Sequence, residues 1–224
     1  DPDERITLVS RRASLLARQG KLDEARAMIQ AWPTRNPAEA RSKLLAEVHL
    51  LRENGQAATA YELLTQAIQS QPTDTDLLYD QALLAEKLRD YENMERLLRK
   101  LIALKPDYHH AYNALGYSFA DRNVRLAEAR TLINKALEFA PDDPMIRDSL
   151  GWVEFRTGNM KKALEILQSA YKARPDADIA AHLGEVLWVM GQRDQAVAVW
   201  REGLRLSSDS ETLTETLKRF QVSP

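Results

Sequence analysis

Cysteine is absent from the 224 residues, which excludes disulfides, thiolate metal ligands and a cysteine nucleophile and leaves the compartment open. No apolar run approaches the roughly 18 residues that a membrane-spanning helix needs. The opening DPDERITLVSRR also lacks the apolar core of a secretory signal. Glycine is scarce, at 8 residues, and none sits in a phosphate-cradling loop or a nucleophile elbow. Histidine is limited to His49, His109, His110 and His182, with no pair at i, i+4. Adjacent helical residues such as His109 and His110 point about 100° apart, a poor geometry for sharing one metal. An excess of one charge is missing too. The 31 basic and 33 acidic residues nearly cancel, and no basic stripe calls for nucleic acid. No two carboxylates stand out as a pair held in opposed environments, the mark of acid–base chemistry. Together these absences argue for a chain that is not an enzyme and that takes no cofactor and no metal.

What is present is helix-forming. Ala, Leu, Glu, Arg and Gln dominate, and 44% hydrophobic residues suffice for a core, so an all-α chain is expected. Residues 111–141, AYNALGYSFADRNVRLAEARTLINKALEFAP, set the pattern that the rest varies. Leu115-Gly116 and Ala129 are small sites where two helix backbones can approach, and Pro141 ends the second helix by removing a donor and displacing its predecessor from the α region. The small site recurs at Ala25, Ala60, Met94, Ala129, Ala163 and Ala196, at intervals of 33 to 35 residues. Twelve residues after each come Pro37, Pro72, Pro106, Pro141, Pro175 and finally Ser208. Five residues before four of them stand Gly20, Gly55, Gly158 and Gly191, suited to left-handed turns between paired helices. The third unit offers Arg89-Asp90 there, and the fourth Asn123 with one extra residue.

Six helix pairs are therefore expected at about 6–39, 41–74, 75–108, 109–143, 144–177 and 177–207. The first pairs Leu8, Leu15 and Leu16 with Ala25, Ile29 and Trp32; Trp32 and Trp200 are both expected in the core. Residues 208–224 would form a capping helix and tail. Ser208 and Glu211 are spaced as a capping box, and Leu213, Leu217 and Phe220 share one face. A stack whose units bury their apolar sides only against neighbours needs such an end piece. The N-terminus shows no counterpart, and a chain beginning with Asp reads as a piece of something longer.

This spacing resembles the tetratricopeptide repeat, in which two antiparallel helices recur about every 34 residues. The resemblance implies an α-solenoid, a right-handed superhelix whose first helices line an inner groove. By the same resemblance the inner positions of repeats three to six include Tyr79, His110, Asn113, Tyr117, Asp121, Asp148, Trp152, Phe155, Arg156, Glu185 and Trp188, with Leu45 and His49 in repeat two. This mixture of aromatic rings and carboxylates implies a protein or peptide partner carrying Lys or Arg. The carboxylate clamp of some chaperone-binding members is not matched, because Asp148, Tyr79 and Leu45 stand where basic residues would be needed beside Asn113. Trp152, Phe155 and Trp188 admit two readings, an open groove wall or packing against a neighbouring repeat. Glu154 takes the place of a tyrosine usual in the family, and should either reach solvent or pair with Arg156 or Lys161.

A narrower resemblance rests on residues 141–171, PDDPMIRDSLGWVEFRTGNMKKALEILQSAY. This run is similar to tetratricopeptide lipoproteins of the Gram-negative outer membrane, including adaptors that deliver substrates to a periplasmic carboxy-terminal processing protease. It implies a periplasmic protein tethered through a lipidated cysteine upstream of Asp1; a cytoplasmic location is the alternative. The other readings are an assembly scaffold for pilus or envelope machinery, and the regulatory or targeting domain of a larger enzyme.

Overall fold

The small sites decide the architecture. Ala25, Ala60, Met94, Ala129, Ala163 and Ala196 are all fully buried, each where one helix of a hairpin crosses its partner. The computed structural model describes residues 2–224, with side chains from Ile6 onward, so the expectation attached to Asp1 lies outside the described residues. Among them every regular element is an α-helix. A first unit, ending at Leu104, contains α1 (Pro2–Arg18), α2 (Leu22–Gln30), α3 (Pro37–Glu53), α4 (Ala57–Ser70), α5 (Thr75–Lys87) and α6 (Tyr91–Leu104). A second, Lys105–Pro224, contains α7 (His109–Asp121), α8 (Leu126–Phe139), α9 (Pro144–Arg156), α10 (Met160–Ala173), α11 (Ala177–Val189), α12 (Arg193–Leu206) and α13 (Glu211–Phe220). Within each unit consecutive helices form antiparallel hairpins that stack on the next.

Local chemistry sets the helix ends. Asn36, Asp74, Asp143 and Asp176 each accept backbone N–H bonds from the first turn of α3, α5, α9 and α11, and Pro37 and Pro144 stand where no intrahelical donor is needed. The hairpin turns take left-handed backbone at Gly20, Gly55, Gly158 and Gly191. In the third hairpin the same place falls to Arg89, at φ 59°, and in the fourth to Asn123, at φ 56°, followed by Arg125 at φ 47°. A side chain with a Cβ pays about 1 kcal/mol or more for that conformation. Arg89→Gly is therefore expected to stabilise the first unit by about 0.5–1 kcal/mol in urea unfolding, net of glycine's added chain entropy.

Several expectations are corrected. Leu8 and Leu15 are exposed rather than packed in the first hairpin, whose core is Ala13, Ala17, Ala25 and Ile29. Trp32 lies beyond the end of α2 and is only half-buried. Trp200 is fully buried. The cap of α13 is Ser210, whose hydroxyl accepts the Leu213 N–H, and not Ser208. Glu154 neither reaches solvent nor pairs with Arg156 or Lys161. At 1% exposure it accepts from Arg130 at 3.0 and 3.1 Å, from Asn159 at 2.6 Å and from Lys162 at 3.1 Å. Burial would raise its pKa, but the donors of Asn159, Lys162 and Arg130 outweigh that and hold it below the usual range. In the first unit Glu47 is likewise buried and accepts from Arg26 at 2.6 Å and Gln30 at 2.7 Å. Arg26 and Arg130 each follow the small site by one residue, so both ion pairs tie a second helix to the first helix of the next hairpin.

Candidate protein-binding surfaces

In the second unit the first helices of the hairpins, α7, α9 and α11, lie side by side, with α13 against α11. Asp148 on α9 faces His182 on α11, whose Nδ1 donates to the two carboxylate oxygens at 3.0 and 2.8 Å. The other ring nitrogen, Nε2, meets the Tyr117 hydroxyl of α7 at 3.2 Å. The Trp152 ring stacks on the imidazole at 4.3 Å, and Phe155 stacks on Trp152 at 5.1 Å. Burial alone would lower the pKa of His182. The carboxylate of Asp148, helped by Asp121 and Asp178, outweighs it and raises the pKa above its ordinary value. Arg156 donates to the carbonyls of Ala120 and Asp121, closing the C-terminal end of α7, with its guanidinium 5.6 Å from the Trp152 ring. Further along, Arg219 of α13 grips Glu185 with two bonds of 2.7 and 2.6 Å, and Trp188 lies against Trp200 and Phe220.

These contacts correct the expected open wall. Asp148, Trp152, Phe155 and Glu185 are buried, Trp152 at 2% exposure. Asn113, Tyr117, Arg156 and Trp188 are half-buried, and only His110 and Asp121 are exposed. Tyr79 is half-buried on α5 of the first unit, apart from this cluster. His110 has its pKa lowered, by partial burial and then by His109, whose ring lies 4.1 Å away. Of the carboxylates assigned to a basic partner, Asp148 is satisfied by His182 and Glu185 by Arg219, while Asp121 stays exposed; nearby, Asp178 accepts from the Ser210 hydroxyl at 2.6 Å. The Asn113 Oδ1 and Trp152 Nε1 atoms are buried with no partner among the described residues.

The first unit differs. Between α1 and α3 runs a groove of about 650 Å³, lined by Arg11, Ser14, Leu15, Arg18, Ser42 and His49. Ser14, Arg18 and Ser42 fall at inner positions of the repeat spacing, as His49 does, whereas Arg11 and Leu15 do not. The signal for Arg11 was present in the sequence, where residues 6–22 carry four cations, Arg11, Arg12, Arg18 and Lys21, and no carboxylate.

Hairpins of this geometry stacked in series define an α-solenoid built from helix-turn-helix repeats. The chain is a tetratricopeptide-repeat protein: the family model described as the tetratricopeptide repeat matches residues 79–144. A TPR repeat-containing protein of Pseudomonas aeruginosa is 42% identical over 175 residues, covering 78% of this chain and 30% of that protein. The cellulose synthase 2 operon protein C of Komagataeibacter xylinus is 27% identical over 180 residues, covering 80% of this chain and 14% of that protein. The chain thus spans less than a third of the length of either relative. Among solved structures, a thermophilic TPR protein of Thermus thermophilus has a TM-score of 0.70 at 22% identity, covering 80% of this chain and 98% of its own. A tetratricopeptide repeat protein of Parabacteroides merdae has a TM-score of 0.59 at 16% identity over 98% of this chain and 100% of its own. Identities this low carry the fold and nothing finer. Tetratricopeptide-repeat proteins generally serve as non-catalytic scaffolds for protein–protein interaction.

Proposed function

We propose that this chain is the partner-holding part of an envelope adaptor, which binds protein segments and presents them to a periplasmic carboxy-terminal processing protease. The observation that carries the binding role is a repeat fold with an open groove of mixed polar and apolar lining between two first helices, α1 and α3. The protease setting is supported by the run at residues 141–171, which is similar to that of outer-membrane tetratricopeptide lipoproteins. Fractionation of cells producing the full-length protein tests the setting. It is expected in the outer membrane, labelled by radioactive palmitate and co-purifying with a protease of that class. Recovery in the cytoplasm, or a preparation free of protease after mild crosslinking, would overturn it. A second reading, a scaffold for envelope assembly machinery, is favoured by the likeness to the cellulose synthase 2 operon protein. Under that reading the crosslinked partners are secretion or synthase components, and proteolysis is unaffected by deleting the gene.

A further inference from the structure

We propose that the crevice between α8 and α10 docks an aromatic side chain of a partner protein, flanked in the partner's sequence by Lys or Arg. The inference rests on the scaffold reading above and names what one outer surface of the second unit selects. The crevice holds about 310 Å³ and is lined by Leu137 of α8, Arg147 and Leu150 of α9, and Glu165, Ile166 and Ser169 of α10. None of these is an inner position of its repeat. Within the same unit α7 precedes the crevice and α11 to α13 follow it, so it is not an open end of the stack. Leu150 is the exception at its own repeat position, thirteen residues before the small site, or fourteen in the fourth repeat with its extra residue. Its counterparts Glu47, Gln81, Leu115 and Leu183 are all buried, at 7% exposure or less. Glu47 is held by Arg26 and Gln30 of the preceding second helix, and Gln81 donates to Thr65 of its own preceding helix at 2.8 Å. Leu150 alone of the five stays half-buried.

The next repeat shows what closes such a crevice. Eight residues after the small site α8 carries Leu137, where α10 carries Tyr171. The Tyr171 hydroxyl is buried, and burial, then Glu202 of α12, push its pKa up. Glu202 is the counterpart of Ser169, so the phenol occupies the corresponding place one repeat on, where Leu183 is sealed. Leu137 is shorter by most of a phenol ring, and Leu150 is left uncovered. An apolar cavity of about 150 Å³ already takes benzene, so the crevice admits one aromatic ring with its linking methylene. Arg147 suits it to a ring rather than an aliphatic group. Its guanidinium donates to the Pro141 carbonyl at 2.9 Å and to Asp142 at 2.8 Å, so it is held in place with its charge balanced. A planar cation fixed in this way stacks on an aromatic face. Ser169 offers a hydroxyl to a phenol. Glu165 adds the charge preference: it is exposed, makes no ion pair or hydrogen bond among the described residues, and is the one unbalanced charge in the lining. A Lys or Arg beside the partner's ring meets it, and a carboxylate there is repelled. Lys161, one turn earlier on α10, lies outside the lining, which places that base toward the Ser169 end.

Selection of a phage-displayed library of random twelve-residue peptides on the immobilised chain tests this. Enriched peptides are then measured by fluorescence anisotropy against wild type, Leu137→Tyr, which copies the next repeat and fills the crevice from within, and Glu165→Lys, which reverses the rim charge. Peptides carrying Phe, Tyr or Trp with Lys or Arg within two residues are expected to be enriched. Affinity should fall at least tenfold in Leu137→Tyr and several-fold in Glu165→Lys. Ring currents from the bound peptide should shift the methyl resonances of Leu137, Leu150 and Ile166 in wild type. Glu165 is exposed, so the melting temperature of its variant should hold and binding there is read on an intact fold. If enriched peptides bind both variants as tightly as wild type, this docking site is overturned while the scaffold reading stands. If the enriched peptides carry only aliphatic residues, the aromatic assignment is overturned. If no peptide is enriched, the docking site falls, and the adaptor reading is judged separately by its crosslinked partners.

Discussion

Asp148→Ala is expected to remove about 3–5 kcal/mol from the stability of the second unit, the cost of leaving one member of a buried charged pair without its partner. His182 is enclosed by α7, α9 and α11, and the groups facing it are Asp148 from α9, Tyr117 and Asp121 from α7, and Asp178 on its own helix. Because its pKa is raised in the folded chain, the native state holds the imidazole proton more tightly than the unfolded state does. The stabilisation is fully present below the unfolded value of 6.5 and is lost as pH rises through the higher folded value. Wild type should therefore lose stability on the alkaline side relative to His182→Gln, whose own profile lacks this component. Tryptophan fluorescence reads the second unit selectively, since Trp152, Trp188 and Trp200 all lie there and only Trp32 lies outside. Urea unfolding between pH 5.5 and 9 that gives parallel profiles for the two proteins would sink the assignment. Replacing the pair together, as Asp148→Leu/His182→Phe, should recover most of the loss, because an apolar pair of similar volume carries no desolvation penalty.

The helix pairs were legible in the sequence because each is fixed by neighbours within one repeat. Small residues at Ala129 or Ala163, a capping aspartate at Asp143 or Asp176, and glycine at a left-handed turn all act locally. Which inner residues remain open to a partner depends instead on how closely successive first helices approach, and no single repeat encodes that. Trp152 stands at an inner-wall position of its repeat, yet it is sealed by His182, a residue of the next repeat. A signal did exist. Arg41 and Asp74 are separated by 33 positions, while Asp148 and His182, and Glu185 and Arg219, are each separated by 34. Complementary polar residues one period apart therefore tie one repeat to the next. That pattern assigns His182 a structural partner, a role that the search for paired metal ligands does not reach. Glu154 escapes a local reading for a related reason: its arginine comes from the preceding hairpin, 24 positions upstream, and not from its own helix.

Gly184→Ala should also be severe, unlike the same change at an ordinary helical glycine. Replacing glycine by alanine in a helix interior normally gains about 1 kcal/mol. Here the added methyl would lie 2.5 Å from Trp200 Cδ1 and 2.6 Å from Cε2, about 1 Å inside ordinary carbon contact. The indole cannot yield cheaply. It is fully buried, its Nε1 donates to the Ala181 carbonyl at 3.2 Å, and Trp188 and Phe220 flank it at 5.6 and 5.7 Å. Overpacking of a close-packed site costs about 3 kcal/mol at the upper end, so a net loss of about 2 kcal/mol is expected, with α11, α12 and α13 exchanging amide hydrogens faster than α7 to α10. Trp200→Leu alone should also destabilise, by opening a cavity. The double variant should be more stable than the sum of the two losses predicts by at least about 1 kcal/mol, since the smaller side chain vacates the space the methyl needs. Simple additivity would mean that the two helices do not meet through this glycine, and the tight crossing of α11 on α12 would have to be abandoned.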